Sequence, residues 1–317
     1  MSALQLHNFY PKSRPESVLL ERFAGHVAAL SGGGLTVSVR HGNDMKLDDA
    51  DGLDWLSAGK ADLAVLWPVF MQQKNEEYRS SYIMGSARSL EDHVRVFPAL
   101  ERINATILAE RDIVPIAYLP SPVLYISVFA AGTPVTSLSD LKGRKLRVFS
   151  RDLEPTFQRL GVNARFIPQG ELYDALAAGV FDCTIYPACH TAWSVPLWRV
   201  TQHASYLFPE ALHPYLLCAP RKLWDSLGER GQTALREAGR LVYPDFLRLA
   251  FDPTDERAAR RNLTAAGLTW HDDFTPADQI RFAESAQQTW TDMSRAAGAR
   301  AESNLRTMLA AMGRDPA

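Results

Sequence analysis

Cysteine is scarce in this chain: three residues, Cys183, Cys189 and Cys218, in 317. So small a number excludes a disulfide framework. Cys183, Cys189, His190 and His213 include metal-ligating types, but their spacing fits no zinc pattern, and small buried thiols are the expectation. Neither a metal nor a cofactor is expected. The formal net charge is −2. With no basic excess, nothing points to nucleic acid, whose footprint is a concentrated basic patch. No apolar run approaches the ~20 residues of a membrane span, so a membrane-embedded protein is not expected. The opening "MSALQLHNFYP" has neither the basic start nor the apolar core of a secretory signal. Two readings follow: a cytoplasmic protein, or one whose signal preceded this numbering.

Motifs with known mechanics are missing as well. There is no phosphate-binding G-x-x-x-x-G-K-[ST], no G-x-G-x-x-G after a strand, no H-E-x-x-H and no G-x-S-x-G. "SGGGL" at 31–35 follows a helix and precedes a strand, the wrong order for cradling a phosphate. Asp48, Asp49 and Asp51, and the pair Asp272 and Asp273, match no calcium loop and read as solvated helix starts. No catalytic residue is assigned, and the chain is not expected to be an enzyme.

What is present is an α/β grammar. Hydrophobic residues make up 46% and charged residues 22% of the chain, an ordinary globular balance, and the length suggests two domains. "LQLHNFY" reads as a strand. Residues 15–30 place Leu19, Phe23, Val27 and Leu30 on one helical face, with Pro15 at the start and Gly32–Gly34 at the end. "LTVSV" alternates as a strand, a helix through Leu53 and Leu56 follows, and "DLAVLW" is a buried strand. The middle repeats the order: "KLRVF", "EPTFQRLG", "NARFIP", "GELYDALAAG", "FDCTIY". Short strands alternating with helices predict mostly parallel sheets flanked by helices. "YLLCA" at 215–219 is a further strand. Residues 221–251 read as a long helical stretch that Pro244 should kink or break, and Thr275-Pro276 opens another helix.

One phrase occurs twice. "LSAGKADLAVLWP" (56–68) and "LAAGVFDCTIYP" (176–187) share Leu-x-Ala-Gly-x-x-Asp, an apolar run, and an aromatic-Pro ending. They mark equivalent places in two α/β lobes. Ligands of open α/β sheets bind beyond the carboxyl ends of the strands. Trp67 and Tyr186, at those ends, are therefore either pocket walls or core packing. In "KGRKLRVF", alternation places Lys145, Arg147 and Phe149 on one face. A partly buried Arg147 needs an anion, either a ligand carboxylate or an internal Asp or Glu.

Taken together, "DLKGRKLRV" (140–148) and "LGVNARFIPQGELYDALAAGVFDC" (160–183) resemble the signature region of solute-binding proteins of tripartite ATP-independent periplasmic (TRAP) transporters. The N-terminal strand, "ERFAGHVAALSGGGLTVSV" and "LSAGKADLAV" are similar to the same family. The resemblance implies a two-lobed periplasmic-binding-protein fold. Lobe I would be 1–122 plus 211–250 and lobe II 123–210 plus 251–317, with a cleft between them and a long lobe-spanning helix near 221–250. It also implies a monomer in the periplasm, its export signal removed, that traps a small organic acid on lobe closure and delivers it to TRAP membrane permease subunits. Arg147 falls on the family arginine that clamps the ligand carboxylate, and Gln169 on a cleft-facing position. His213, which starts the crossing strand, is a further candidate contact, and Phe9, Trp67, Tyr186 and Phe149 complete the expected ligand-binding set. Family members for polar sugars or diacids place Asn or Glu where this chain has Phe9, Trp67 and Tyr186. The family's second basic residue is absent from "VLYISVF", Phe149 replaces a frequent proline and Cys183 a glycine. One cation with aromatic walls implies an aromatic or apolar monocarboxylate. The same fold used as a ligand sensor, or an enzyme on a two-lobed α/β scaffold, are the alternatives.

Overall fold

The computed structural model describes residues 2–42, 44–72, 74–187, 195–210 and 213–315. The chain divides into two compact units. Unit 1 comprises Met1–Ser81, Val96–Pro122 and His213–Phe251; unit 2 comprises Tyr82–Arg95, Val123–Leu212 and Asp252–Ala317.

In chain order the elements are β1 (Ser2–Asn8), α1 (Pro15–Leu30), β2 (Leu35–His41), α2 (Gly52–Ser57), β3 (Leu63–Leu66), α3 (Pro68–Met71), α4 (Glu76–Ser81), α5 (Leu90–Ala109) and β4 (Ile113–Leu119). Then come β5 (Leu124–Ala130), β6 (Lys145–Val148), α6 (Leu153–Arg159), β7 (Asn163–Phe166), α7 (Leu172–Ala177), β8 (Cys183–Pro187) and β9 (His203–Glu210). The chain continues through β10 (Tyr215–Pro220), α8 (Arg221–Ser226), α9 (Gly228–Ala250), α10 (Thr254–Ala265), β11 (Thr269–Trp270), α11 (Pro276–Ala297) and α12 (Ala299–Ala311).

Local chemistry accounts for the boundaries. Pro15 occupies the first turn of α1, where its missing N–H costs nothing. Thr275 caps α11, its side chain accepting from the Asp278 amide at 3.2 Å. The stretch expected as one helix with a break at Pro244 divides instead at Gly228, whose φ of +62° ends α8. Helix α9 runs on through Pro244. Pro244 deprives the carbonyl of Arg240 of its helical partner, but Arg240 is exposed and water can take that carbonyl.

The sheet of unit 1 has the order β2-β1-β3-β10-β4, that of unit 2 β11-β9-β5-β8-β6-β7. Strands β1, β2 and β3 are parallel, and β10 runs antiparallel to both β3 and β4, so β10 alone is reversed. In unit 2 the one reversed strand is β5, antiparallel to β8 and β9. β10 and β5 are also the strands that follow a passage from one unit into the other.

The doubled phrase has one physical role in both units. Helices α2 and α7 each end in a glycine with positive φ, Gly59 at +71° and Gly179 at +69°. The glycine amides bond Leu56 and Leu176 carbonyls, and the next amides, of Lys60 and Val180, reach back to Trp55 and Ala175. This is the Schellman pattern, which only a residue tolerant of the left-handed region closes cheaply. Asp62 then accepts from the Gln5 amide of β1 at 2.8 Å, and Asp182 from the Lys145 amide of β6 at 2.8 Å. In each unit the aspartate ties its own strand to the parallel neighbour. β1 and β6 are therefore counterparts: His7 pairs with Ala64 as Arg147 pairs with Thr184.

Each unit has its own core. Leu6, Phe23, Val27, Leu63, Leu217, Leu235 and Phe246 are buried together in unit 1. In unit 2, Val128, Leu146, Val148, Ile185, Phe157 and Phe282 fill one face of the sheet. Phe129, Leu172, Tyr186, Leu197 and Leu263 form another cluster. Each such side chain contributes about 1.5–3 kcal/mol when taken from water.

Candidate functional site

Arg147 lies in the middle of the β6 register, between β7 and β8. Its strand neighbours Leu146 and Val148 enter the core cluster with Cys183 and Ile185. Alternation therefore turns Arg147 to the opposite face, the face of Thr184 and Tyr186. The side chain is 1% exposed. Its Nε and Nη2 both donate to the Ile167 carbonyl, at 3.2 and 3.0 Å. Nη1 has no hydrogen-bond partner among the described residues. No Asp or Glu side chain among them pairs with the guanidinium, and none of the remaining residues is Asp or Glu. Burial lowers its pKa to about 10, with Tyr186 acting weakly in the other sense.

The result is a guanidinium fixed along one edge by a carbonyl. Its other edge, Nη1 with the second proton of Nη2, keeps two donors in one plane. That edge matches a carboxylate approached end-on. A buried arginine with no counter-charge is costly in a folded protein unless an anion joins it.

Unit 1 carries a panel of rings where β1 and β3 end. Phe9 is stacked on Trp67, centroids 6.0 Å apart and planes within 3°. Phe70 on α3 meets Trp67 edge-on at 5.1 Å, and Tyr215 at the start of β10 lies 5.5 Å from Trp67. Tyr10 adds a fifth ring, 4.3 Å from Phe9. β10 runs backwards, which is why its first residue meets the last residues of β1 and β3. The polar tips of these rings are spent internally. Trp67 Nε1 donates to the His213 carbonyl at 2.8 Å, and the hydroxyls of Tyr10 and Tyr215 share a bond of 2.9 Å. Tyr10 is pushed up to about 12, mainly by burial, and so stays a neutral phenol. A hollow of about 780 Å³ adjoins Phe70 and is lined also by Lys46, Asp48, Asp49 and Val69.

The expected site residues thus fall in several places. Phe9 and Trp67 touch each other, and His213 joins them through its backbone carbonyl. The His213 ring is buried against Tyr78, its Nε2 3.4 Å from Ser81 Oγ, and burial lowers its pKa to about 3. Arg147 and Tyr186 share a sheet face, and Tyr186 packs with Phe129 and Leu172. Phe149 lies past the end of β6 and packs against the cluster of Leu146 and Val148. The alternation that would place it beside Arg147 stops with the strand. Gln169 is exposed at the start of a short 3-10 turn. Cys183 and Cys218 are buried free thiols, whereas Cys189 and His190 lie outside the described residues.

Trp67 and Tyr186 are not equivalent. Trp67 is five residues past Asp62, Tyr186 four past Asp182. In a strand, a shift of one residue changes the face. Tyr10, Phe70, Tyr215 and the Ile167 carbonyl escaped the sequence reading. Tyr10 directly follows Phe9 and Phe70 lies three residues after Trp67, and that nearness in sequence was the available signal. His7, the counterpart of Arg147, also went unnoticed. It is buried, its Nε2 2.9 Å from Asp49 Oδ1, with the Trp55 ring edge-on at 5.1 Å.

Residues 7–296 match the model of bacterial extracellular solute-binding protein family 7. A solute-binding protein of Chromohalobacter salexigens is 28% identical over 235 residues, covering 73% of this chain and 68% of its own. A TRAP periplasmic solute-binding protein of Ochrobactrum anthropi, solved with its C-terminus in the ligand-binding pocket, superposes with a TM-score of 0.82. It is 19% identical, over 98% of this chain and 94% of that one. A Chromohalobacter salexigens TRAP protein with bound D-glucuronate gives a TM-score of 0.75 at 22% identity, covering 97% and 99%. An extracytoplasmic solute receptor of Bordetella pertussis that binds pyroglutamic acid gives 0.74 at 17% identity, covering 99% and 100%. Among the described residues, no helix is long and apolar enough to cross a membrane.

Proposed function

The chain belongs to bacterial extracellular solute-binding protein family 7, and on that premise we propose that it captures a small organic acid in the periplasm and delivers it to TRAP permease subunits. The observation that carries the proposal is the Arg147 guanidinium, buried, held along one edge by Ile167, and without an acidic partner among the described residues. Arg147 takes the ligand carboxylate. The relatives named for glucuronate, galacturonate and pyroglutamate bind acids with a single carboxylate.

The body of the ligand is aromatic or apolar. Phe9 and Trp67 are the ring faces assigned to it, and the hydroxyls of their neighbours Tyr10 and Tyr215 are turned to each other in one shared hydrogen bond. Stacking adds about 0.5–1.5 kcal/mol per ring pair beyond area burial. A second carboxylate laid on those ring faces would give up water for apolar contacts, with Arg14 over the Tyr10 ring already bonded to Glu16, at a cost of several kcal/mol. Tyr186 and Gln169 are assigned supporting contacts on the side of Arg147, and Phe149 and His213 hold the surrounding backbone. Binding alone is proposed, with no chemical step.

The test is a thermal-shift screen of carboxylic acids, followed by calorimetry on Arg147→Ala. Binding raises the melting temperature by mass action. Phenylacetate or a branched 2-oxo acid should shift it strongly. Arg147→Ala should bind the best acid more than tenfold more weakly, about 1.4 kcal/mol, with an unchanged urea midpoint. Strong shifts with succinate or sialic acid, and none with aromatic acids, would overturn the ligand class. A loss smaller than tenfold would overturn the anchor.

A further inference from the structure

We infer that Asn8 is a positioning residue for the ring panel, and that the chain Glu21–His41–Asn8 makes the placement of Phe9 and Tyr10 depend on the protonation of His41. Asn8 is the last residue of β1, 0% exposed, and the panel begins at the next residue. Its amide Nδ2 lies 2.9 Å from Ser17 Oγ, 3.1 Å from His41 Nδ1 and 3.3 Å from the Tyr10 carbonyl. Its Oδ1 accepts from the Tyr10 amide at 3.2 Å. The side chain thus closes a turn over its own successor residues, which fixes where the rings of Phe9 and Tyr10 stand.

The amide has two protons for three neighbouring acceptors, and the farthest of these, the Tyr10 carbonyl, is served by the Gly42 amide, so the two protons go to Ser17 and His41. Ser17 Oγ donates to the Pro11 carbonyl at 2.9 Å and so accepts from Asn8. His41 Nε2 donates to the Glu21 carboxylate at 2.8 Å, leaving Nδ1 bare to accept from Asn8. The Tyr10 carbonyl also accepts from the Gly42 amide at 2.8 Å, so the residue after His41 grips the same turn. A protonated His41 carries N–H on both nitrogens. Its Nδ1–H then meets the Asn8 NH2, donor against donor. Rotating the Asn8 amide relieves that contact but presents NH2 to the Tyr10 N–H. The mismatch moves into the turn that holds the panel.

The ring of His41 is 11% exposed, enough to exchange protons with solvent. Glu21 on α1 is the charged side chain bonded to it. Nearby, Arg14 and Glu16 bond each other at 2.9 Å, with Arg14 over the Tyr10 ring at 5.0 Å. Arg40, next to it on β2, bonds Gln5, and the Asp44 amide bonds the His41 carbonyl. His7, next to Asn8 on β1, is engaged with Asp49. Histidine is the side chain that ordinarily changes charge between pH 5 and 8. A proton on Nδ1 would set two donors against each other in the panel-forming arrangement, so binding of an acid at the panel should weaken as pH falls.

This inference rests on the proposed ligand site, and the experiment has two arms so that the two can fail separately. In the first, long-range nitrogen-proton NMR of the full chain identifies the His41 tautomer and follows it with pH, together with the ring resonances of Phe9 and Tyr10. The Nε2–H tautomer at pH 7.5, and Phe9 and Tyr10 shifts that track His41, are expected. In the second arm, calorimetry uses phenylacetate at pH 7.5 and 5.5, where both the probe and Arg147 stay ionised. Loss of about one hydrogen bond should weaken wild type roughly threefold to tenfold at the lower pH. His41→Gln should remove that dependence. Asn8→Asp should flatten or invert it, because its carboxylate accepts from Nδ1–H. A dependence that survives in His41→Gln, or an Nδ1–H tautomer at pH 7.5, would overturn the inference. If phenylacetate binds no variant, the ligand proposal fails and the NMR arm alone decides. Phe9 and Tyr10 resonances that ignore the His41 titration then sink the inference as well.

Discussion

Glu210 is a carboxyl in a place where charge is expensive. It is the last residue of β9, 1% exposed, and Oε2 accepts from the Gly85 amide at 2.7 Å. That bond favours the ionised form, but burial outweighs it and pushes the carboxyl well above the usual range. Gly85 could hardly be another residue: its φ is +78°, and a Cβ would stand 2.3 Å from Phe282 Cε1. The unfolded chain releases the Glu210 proton above about pH 4.3, while the folded chain keeps it. The contribution of this group to stability is therefore complete below that pH and is lost as pH rises through the folded value. Glu210→Gln retains an acceptor for Gly85 and removes the titration. In urea unfolding, the variant should match wild type near pH 4 and exceed it increasingly toward pH 8. Parallel stability curves for the two proteins would mean that Glu210 is ionised in the fold.

Elements reuse one device. Asp62 and Asp182 each accept one backbone amide of a neighbouring parallel strand, that of Gln5 in the middle of β1 and that of Lys145 at the start of β6, which is why the same phrase is found twice. Asp182→Ala should cost about 1–2 kcal/mol, the range for losing a side-chain acceptor at an otherwise unpaired backbone N–H. The loss should show in amide exchange at Lys145 and its neighbours in β6, and exchange in β1 should not change. Equal loosening of both strands would contradict the separate roles. This much was legible, because a glycine stop and an aspartate have fixed local meanings. Strand direction was not: an apolar run such as 215–219 reads the same either way, so the reversal of β10 and β5 had no sequence signal. The segment 69–112 also escaped assignment. Its long helix α5 carries Pro98 in its interior, which interrupts the usual pattern. The identity of Arg147 as a buried, carboxylate-free guanidinium was only half legible. Alternation gave its face, but the missing partner is a fact of three dimensions.

At the scale of the molecule, neither unit is a continuous piece of chain. Each draws on three segments, and the last segment of unit 2 is the C-terminal one, from Asp252. Unit 1 therefore closes its core within residues 1–251: its cluster runs from Leu4 to Phe246. Unit 2 does not, because Leu263, Leu268, Phe274 and Phe282 belong to its clusters. The same segment supplies Arg314, which bonds Asp92 at 2.6 Å and so holds the 82–95 stretch to unit 2. Four buried large side chains at about 1.5–3 kcal/mol each are comparable with the whole stability of a domain. A chain ending at Phe251 should accordingly keep protected amides in β1, β3, β4 and β10 and lose protection throughout β5 to β9. Native-state hydrogen exchange reads both halves of that outcome at once. Loss of protection in both sets would mean that unit 1 needs unit 2 to fold. Retention in both would mean that the clusters around Phe274 and Phe282 are dispensable.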